Sequence, residues 1–332
     1  MSQAHAAAAV GGGKVVILGG QGFIGRSVAR AILSASPTVR VQLASRRINP
    51  KSPPLLTTKQ SDLASFLPPT SPPSLLSRVL PPCHADITDP ASLAKACADA
   101  TGIVNLVGIM HEQHPKYTFD SVHEHGPRSV AKVAKEVGAR LVHVSAIGAD
   151  PESDIPYARS KGRGEDAVRS VLRDEVTIIR PSIVFGPDDD FFNRFAKLAT
   201  ILPVVPVFGG GETRFQPVYV EDLAKGIAAS VLSPKPIGKT IEAGGPNVYT
   251  YADMMKLMLQ QANMWRPVVS VPWFVGNVQG MVFEKLPLNL FTLTRDQVRL
   301  LKFDNVVGEG AETLEALGVH LTPAEEVLHT YL

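Results

Sequence analysis

The chain has 332 residues, of which 45% are hydrophobic and 19% charged, and its formal net charge is +2. That length and composition support a buried core of one large or two ordinary domains and exclude an intrinsically disordered chain. The near-neutral charge, with no stripe of arginine and lysine, excludes nucleic acid as the expected partner.

Residues 1–13 read as a flexible tail with no visible presequence, because no basic residue precedes Lys14. Residues 15–18 are an apolar strand. Gly19, Gly20, Gly22 and Gly25 follow at once, and a helix is expected over 23–34. Gly-x-x-Gly-x-x-Gly between a strand and a helix suits a pyrophosphate. The first glycines permit a tight turn, Gly22 lets backbone approach the phosphates, and Gly25 lets helix and strand pack closely. The first helical residues, Phe23 and Ile24, then offer unpaired N–H groups at a positive helix end.

A second strand at 39–47 ends in Ser45-Arg46-Arg47 where an acid would bind a ribose 2′-hydroxyl. Arg46 and Arg47 suit a 2′-phosphate and an adenine face instead, so NADP(H) is favoured over NAD(H). Residues 49–82 carry nine prolines and predict a long surface excursion with a short helix near 60–66. A third strand begins at 83. After it, Asp86 and Ile87 either meet the adenine edge or form a helix-capping arrangement with Thr88 and Asp89.

A helix over 91–100, a buried strand over 102–108 and a helix near 118–137 come next. They are followed by a strand over 140–146, a helix over 157–172 and a strand over 176–186. This alternation predicts a Rossmann-type α/β fold, a doubly wound parallel sheet spanning 14–186. Residues 187–332, richer in Pro, Phe and Gly, predict a smaller C-terminal α/β lobe interleaved with the sheet, with a helix at 221–232.

Tyr157 and Lys161 lie four apart on one helical face, and Ser145 ends the preceding strand. A nearby ammonium is expected to lower the phenol pKa, letting Tyr157 exchange a proton with a hydroxyl or carbonyl while nicotinamide carries hydride. Ser145, Tyr157 and Lys161 are the candidate catalytic residues. His111, Glu112, His114, His123 and His125 read as solvated residues, with His111 near the substrate end, and no metal site is expected. Ser145 lacks the Gly-x-Ser-x-Gly elbow of a hydrolase. Cys83 and Cys97 read as small buried thiols in a reducing compartment.

These residues resemble an atypical, extended-type short-chain dehydrogenase/reductase. The match runs over Gly19–Gly25, Asp86, Asn105-Leu106-Val107-Gly108, Ser145, Tyr157, Lys161, residues 178–187 and residues 217–224. Residues 180–198, 215–227 and 293–307 are similar to the group containing the nucleotide-binding accessory subunit of mitochondrial complex I, its bacterial homologues and a fungal ubiquinone-biosynthesis oxidoreductase. The resemblance implies bound NADP(H), contacts from Leu106, Val107 and Gly108, and a loop closing over the nicotinamide through Pro181, Ser182 and Ile183. It also implies that Val218 and Asp222 seat the second lobe. It implies a mitochondrial location on the matrix side of the inner membrane, and either an apolar, quinone-like substrate or a membrane protein complex as partner. The expected activity is that of an NAD(P)-dependent oxidoreductase in ubiquinone metabolism, with a structural complex I subunit as the alternative. Residues 266–285, uncharged between Arg266 and Glu284, read either as a peripheral membrane or partner contact or as packing of the second lobe. No apolar run is long enough to predict a spanning helix.

Overall fold

The computed structural model describes residues 12–48, 67, 72–274 and 295–332. The run Val15–Leu18 is fully buried within strand β1 (Lys14–Leu18), near the middle of an eight-stranded sheet. β2 (Arg40–Ser45) and β3 (Val79–His84) lie to one side of it. β4 (Ala100–Asn105), β5 (Arg140–Val144) and β6 (Val176–Pro181) lie to the other, followed by Thr240–Ala243 and Glu312–Thr313. Every pairing in this sheet is parallel. The strand order reverses between β1 and β4, which opens a crevice at the carboxyl ends of these strands.

Helix α1 (Phe23–Ala35) covers one face of the sheet. Its Val28, Ala29, Ile32 and Leu33 fall on one stripe and join a core with Leu223, Ile227 and Val231 of residues 220–232. Helices α2 (Pro90–Cys97), α3 (Gly126–Val137) and α4 (Pro156–Leu172) flank the sheet elsewhere, and α2, α3 and α4 contribute Leu93, Val130 and Val168 to a second core. A third apolar cluster gathers Phe185, Phe192, Phe208, Phe215, Tyr251 and Met255. Asp222 is fully buried and accepts from the Thr322 N–H at 2.7 Å, which ties the 220–232 helix to the C-terminal segment.

Several boundaries differ from the sequence expectation. β3 starts at Val79 and contains Pro81 and Pro82, inside the expected surface excursion. It is the edge of the sheet, where an outward-facing N–H is not needed. Its register with β2 shifts between Gln42 and Ala44, and the Gln42 side chain donates to the Pro81 carbonyl at 2.9 Å. The helix expected at 60–66 lies outside the described residues apart from a neighbouring isolated Leu67; a single helical turn at Pro73–Leu76 stands nearby. The helix near 118–137 begins as a π-helical turn, Asp120–His125, because Pro127 has no N–H for a continuous α ladder. β4 stops at Asn105, whose side-chain oxygen accepts from Val107 N–H at 3.2 Å. β6 stops at Pro181, after which Val184–Phe185 leaves the sheet to pair with Val218–Tyr219.

Within 266–285, Val268–Val271 pairs with Val205–Phe208 and Trp273 stacks on Phe208, so this part packs the second lobe. Trp265 and Phe274 stay exposed, and residues 275–285 lie outside the described residues. Among the described residues no helix is long and apolar enough to cross a membrane.

Candidate functional site

The glycine turn has the geometry its spacing implies. Gly19 sits at φ +79°, a left-handed conformation that L side chains rarely adopt, and its N–H donates to Ala44 O at 2.9 Å. A Cβ on Gly25 would lie 2.6 Å from the Gly20 Cα and carbonyl oxygen, so the helix can approach the turn only through a hydrogen. α1 is capped by Gly22, which supplies no side-chain acceptor, and no acid stands in its first turn. The first N–H groups, of Phe23 and Ile24 among them, receive no capping side chain from Gly22, and the helix places no acid of its own against its positive end.

Above this turn lies a cleft of about 630 Å³. Gly19 and Gly22, the side chains of Arg46 and Arg47, Asp86 and Ile87, and the exit of β4 at Leu106, Val107 and Gly108 all line it. Gly20, Phe23, Ile24 and Gly25 do not line it. Pro181, Ser182 and Ile183 do not line it either. The Ser182 hydroxyl is turned to Asn305, 2.6 Å from Oδ1 and 2.9 Å from its carbonyl oxygen.

Asp86 is only 5% exposed and its carboxylate is crowded with donors. Oδ1 accepts from the Thr88 N–H and hydroxyl, and Oδ2 from Lys116 Nζ at 2.6 Å and the Tyr117 hydroxyl at 2.9 Å. Burial alone would raise its pKa. The hydrogen bonds from Lys116, Thr88 and Tyr117 outweigh it and hold the carboxyl well below the usual range. The helix-capping arrangement is present as well, since Asp89 caps α2 through the Ala91 N–H. The Asp86 oxygens, expected to meet an adenine edge, are thus already engaged within the chain. Lys116 and Tyr117 were missed from sequence because they reach Asp86 from thirty residues away. The Arg46 guanidinium carbon stands 4.3 Å over the centroid of the Tyr117 ring, a cation–π contact across the cleft mouth.

Ser145, Tyr157 and Lys161, the candidate catalytic residues, do not line this cleft; they stand past its Gly108 end, where Lys161 reaches the residue before Ser145. Ser145 follows β5, its N–H donating to Ile179 O at 2.7 Å. Its Oγ is one of two buried side-chain polar atoms without a hydrogen-bond partner among the described residues; the other is His143 Nε2. Lys161 Nζ is buried and donates to Val144 O at 3.1 Å. It faces Gly108, where an added Cβ would stand 3.8 Å from it.

The expected activation of Tyr157 is not what the structure has. Burial pushes its phenol up to about 12, with no opposing effect of Lys161, and burial pulls Lys161 down to about 8 against the attraction of Glu165. The reason is geometric, because the ammonium is directed at a main-chain carbonyl.

His123 also departs from expectation. It is 2% exposed, not solvated, and its ring meets Tyr157 edge-on at 5.5 Å and stacks on Phe119 at 5.4 Å. Burial, then Lys161 and His143, depress its pKa to about 2, so it is neutral. Helical spacing is a signal that could have found it: Phe119, Val122, His123 and Gly126 share the inward face of one helical stretch. Glu112 accepts from the Phe119 N–H and pairs with His114 at 3.0 Å. Among the described residues no three His, Cys, Asp or Glu side chains group as metal ligands.

The model of the NAD dependent epimerase/dehydratase family matches residues 15–244. The chain is 36% identical over 241 residues to proteins of rat and mouse named NADH dehydrogenase [ubiquinone] 1 alpha subcomplex subunit 9, mitochondrial. The match covers 72% of this chain and 63% of theirs, so the chain spans less than two thirds of their length. It is 28% identical over 222 residues to the ceramide reductase of Caulobacter vibrioides, covering 67% of this chain and 62% of that protein. The crystal structure of DesIV, a dTDP-glucose 4,6-dehydratase from Streptomyces venezuelae with NAD and TYD bound, shares the fold. It has a TM-score of 0.66 and 19% identity, over 96% of this chain and 95% of that one.

Proposed function

The chain belongs to the NAD dependent epimerase/dehydratase family, and from that premise we propose that it is a mitochondrial, NADP(H)-dependent oxidoreductase acting on an apolar, quinone-like carbonyl in ubiquinone metabolism. The residues fit a dinucleotide. Gly19 and Gly22 leave the cleft floor free of side chains, α1 offers uncapped N–H groups to a diphosphate, and Arg46 and Arg47 bring cations to the adenosine end. The mitochondrial assignment is supported by the rat and mouse relatives.

The observation that carries the reading is the buried Ser145 hydroxyl, without a partner among the described residues, directly after the Val144 carbonyl that holds Lys161. A buried hydroxyl without a partner is costly unless something else fills the place, and a substrate oxygen does so. A bound nicotinamide supplies the hydride. Ser145 then holds the reacting oxygen, and Tyr157, protonated at neutral pH by its high pKa, stands as the proton donor to it. Lys161 compensates the phenolate once its ammonium turns from Val144 O. A proton donor at this position suits reduction of a carbonyl. The test is mass spectrometry of nucleotide released from the purified protein, with turnover of Tyr157→Phe compared against the unaltered chain. Release of NADP(H) and loss of turnover are expected; no nucleotide, or unchanged turnover, ends the reading.

A second reading is a nucleotide-holding accessory subunit of respiratory complex I without turnover. The names of the rat and mouse relatives favour it, as does the Lys161 ammonium being held on Val144 O. A nucleotide that binds only the folded chain stabilises it without chemistry. Co-migration with complex I, and assembly that survives Tyr157→Phe, would support this reading over the first.

A further inference from the structure

We propose that His123 is a positioning residue, a neutral double-ended latch that fastens the β4 exit loop, the inner wall of the cleft, to the helix carrying Tyr157 and Lys161. The proposal deepens the dinucleotide reading and rests on it only for the ligand that the wall receives.

The latch is defined by its hydrogen bonds. His123 Nε2 lies 2.9 Å from the backbone nitrogen of Ile109, and that N–H can only donate, so Nε2 accepts. A neutral imidazole must then carry its proton on Nδ1, 2.9 Å from Ser160 Oγ. Ser160 accepts that proton and donates its own to the carbonyl of Tyr157 at 2.8 Å. The chain Ile109 N–H to His123 to Ser160 to Tyr157 C=O thus has one direction and no spare donor. It joins a segment after β4 to the first turn of α4.

The surroundings give the imidazole no alternative. His123 sits in the π-helical turn before α3 and, with Val122, is buried there. Phe119 stacks on one face and the edge contact with Tyr157 closes another side. A Cβ on Gly108 would stand 3.5 Å from Nε2, so the loop runs along the Nε2 edge of the ring on its way into the cleft. Leu106, Val107, Gly108 and Ile109 all line that cleft. Without the latch, the Ile109 N–H loses its acceptor and the wall loses this tie to α4.

The experiment compares the full chain with His123→Phe, His123→Gln and Ser160→Ala by amide hydrogen exchange at Ile109 and by fluorescence titration with NADPH. Phe keeps an aromatic ring of similar size but removes both hydrogen bonds. Gln retains an acceptor of similar reach. The His123→Phe chain is expected to exchange the Ile109 amide about tenfold faster and to bind NADPH about tenfold more weakly, with His123→Gln recovering most of both. Ser160→Ala, which cuts only the α4 end, is expected to give a smaller change in the same direction. If His123→Phe does not fold, the Gln and Ala chains decide the matter by the same two readings. Unchanged Ile109 exchange in every folded variant overturns the latch. If the unaltered chain binds no NADPH, the dinucleotide reading fails while the exchange comparison still judges the latch.

Discussion

Lys161 aims its ammonium at the Val144 carbonyl oxygen, 3.1 Å away, and this leaves the Tyr157 phenol one turn earlier with no charge partner among the described residues. Burial therefore acts on both residues in the direction of neutrality. It holds the phenol protonated and weakens the hold of the amine on its proton.

This arrangement has a thermodynamic consequence for Lys161. Its folded pKa is about 8, below the ~10.4 of an unfolded lysine. Between those values the unfolded chain binds the extra proton, so stability rises with pH across that window, and the cost of burying the cation is fully present below it. Lys161→Met is expected to flatten the rise and to be more stable at pH 7 by on the order of 1–3 kcal/mol, while losing any turnover. Urea unfolding of both chains at intervals from pH 7 to 10 checks the slope.

At the glycine turn, Gly25→Ala places a methyl group 2.6 Å from the Gly20 backbone, an approach that backbone atoms cannot relieve cheaply. A loss of about 1–3 kcal/mol in chemical denaturation is expected, together with weaker binding of any dinucleotide because α1 is pushed off the turn.

Arg46 is the residue through which the 2′-phosphate reading is most directly checked. Removing it by Arg46→Ser is expected to weaken NADPH binding roughly 10- to 100-fold and NADH binding far less, since a charge-assisted bond is lost only with the former. Equal losses for the two nucleotides would reduce Arg46 to its stacking contact with Tyr117.

Asp86 offers a test at acid pH. Its carboxylate, depressed by Lys116, Thr88 and Tyr117 against the opposing effect of burial, stabilises the fold above the unfolded value near ~3.9. That contribution is lost as pH falls through the lower, folded value. Asp86→Asn keeps the shape but places an amide group among donors, and a loss of about 1–3 kcal/mol at pH 7 is expected, shrinking toward pH 2. Thermal melts at the two pH values measure it.

The sequence by itself determined the glycine turn, the alternation of strand and helix and the placing of Ser145, Tyr157 and Lys161. These are local matters: a positive φ at Gly19, a close approach at Gly25, a helical repeat of four between Tyr157 and Lys161. The tertiary structure alone decided what surrounds them. Lys116 and Tyr117 fill the Asp86 carboxylate from another segment, and Asn305 takes the Ser182 hydroxyl expected at the nicotinamide. The edge position of β3 makes room for Pro81 and Pro82. His123 became an interior residue because the β4 exit and α4 close on either side of it. A pKa or a hydrogen bond depends on which atoms stand within a few ångströms, and for these residues the neighbours come from elements distant along the chain.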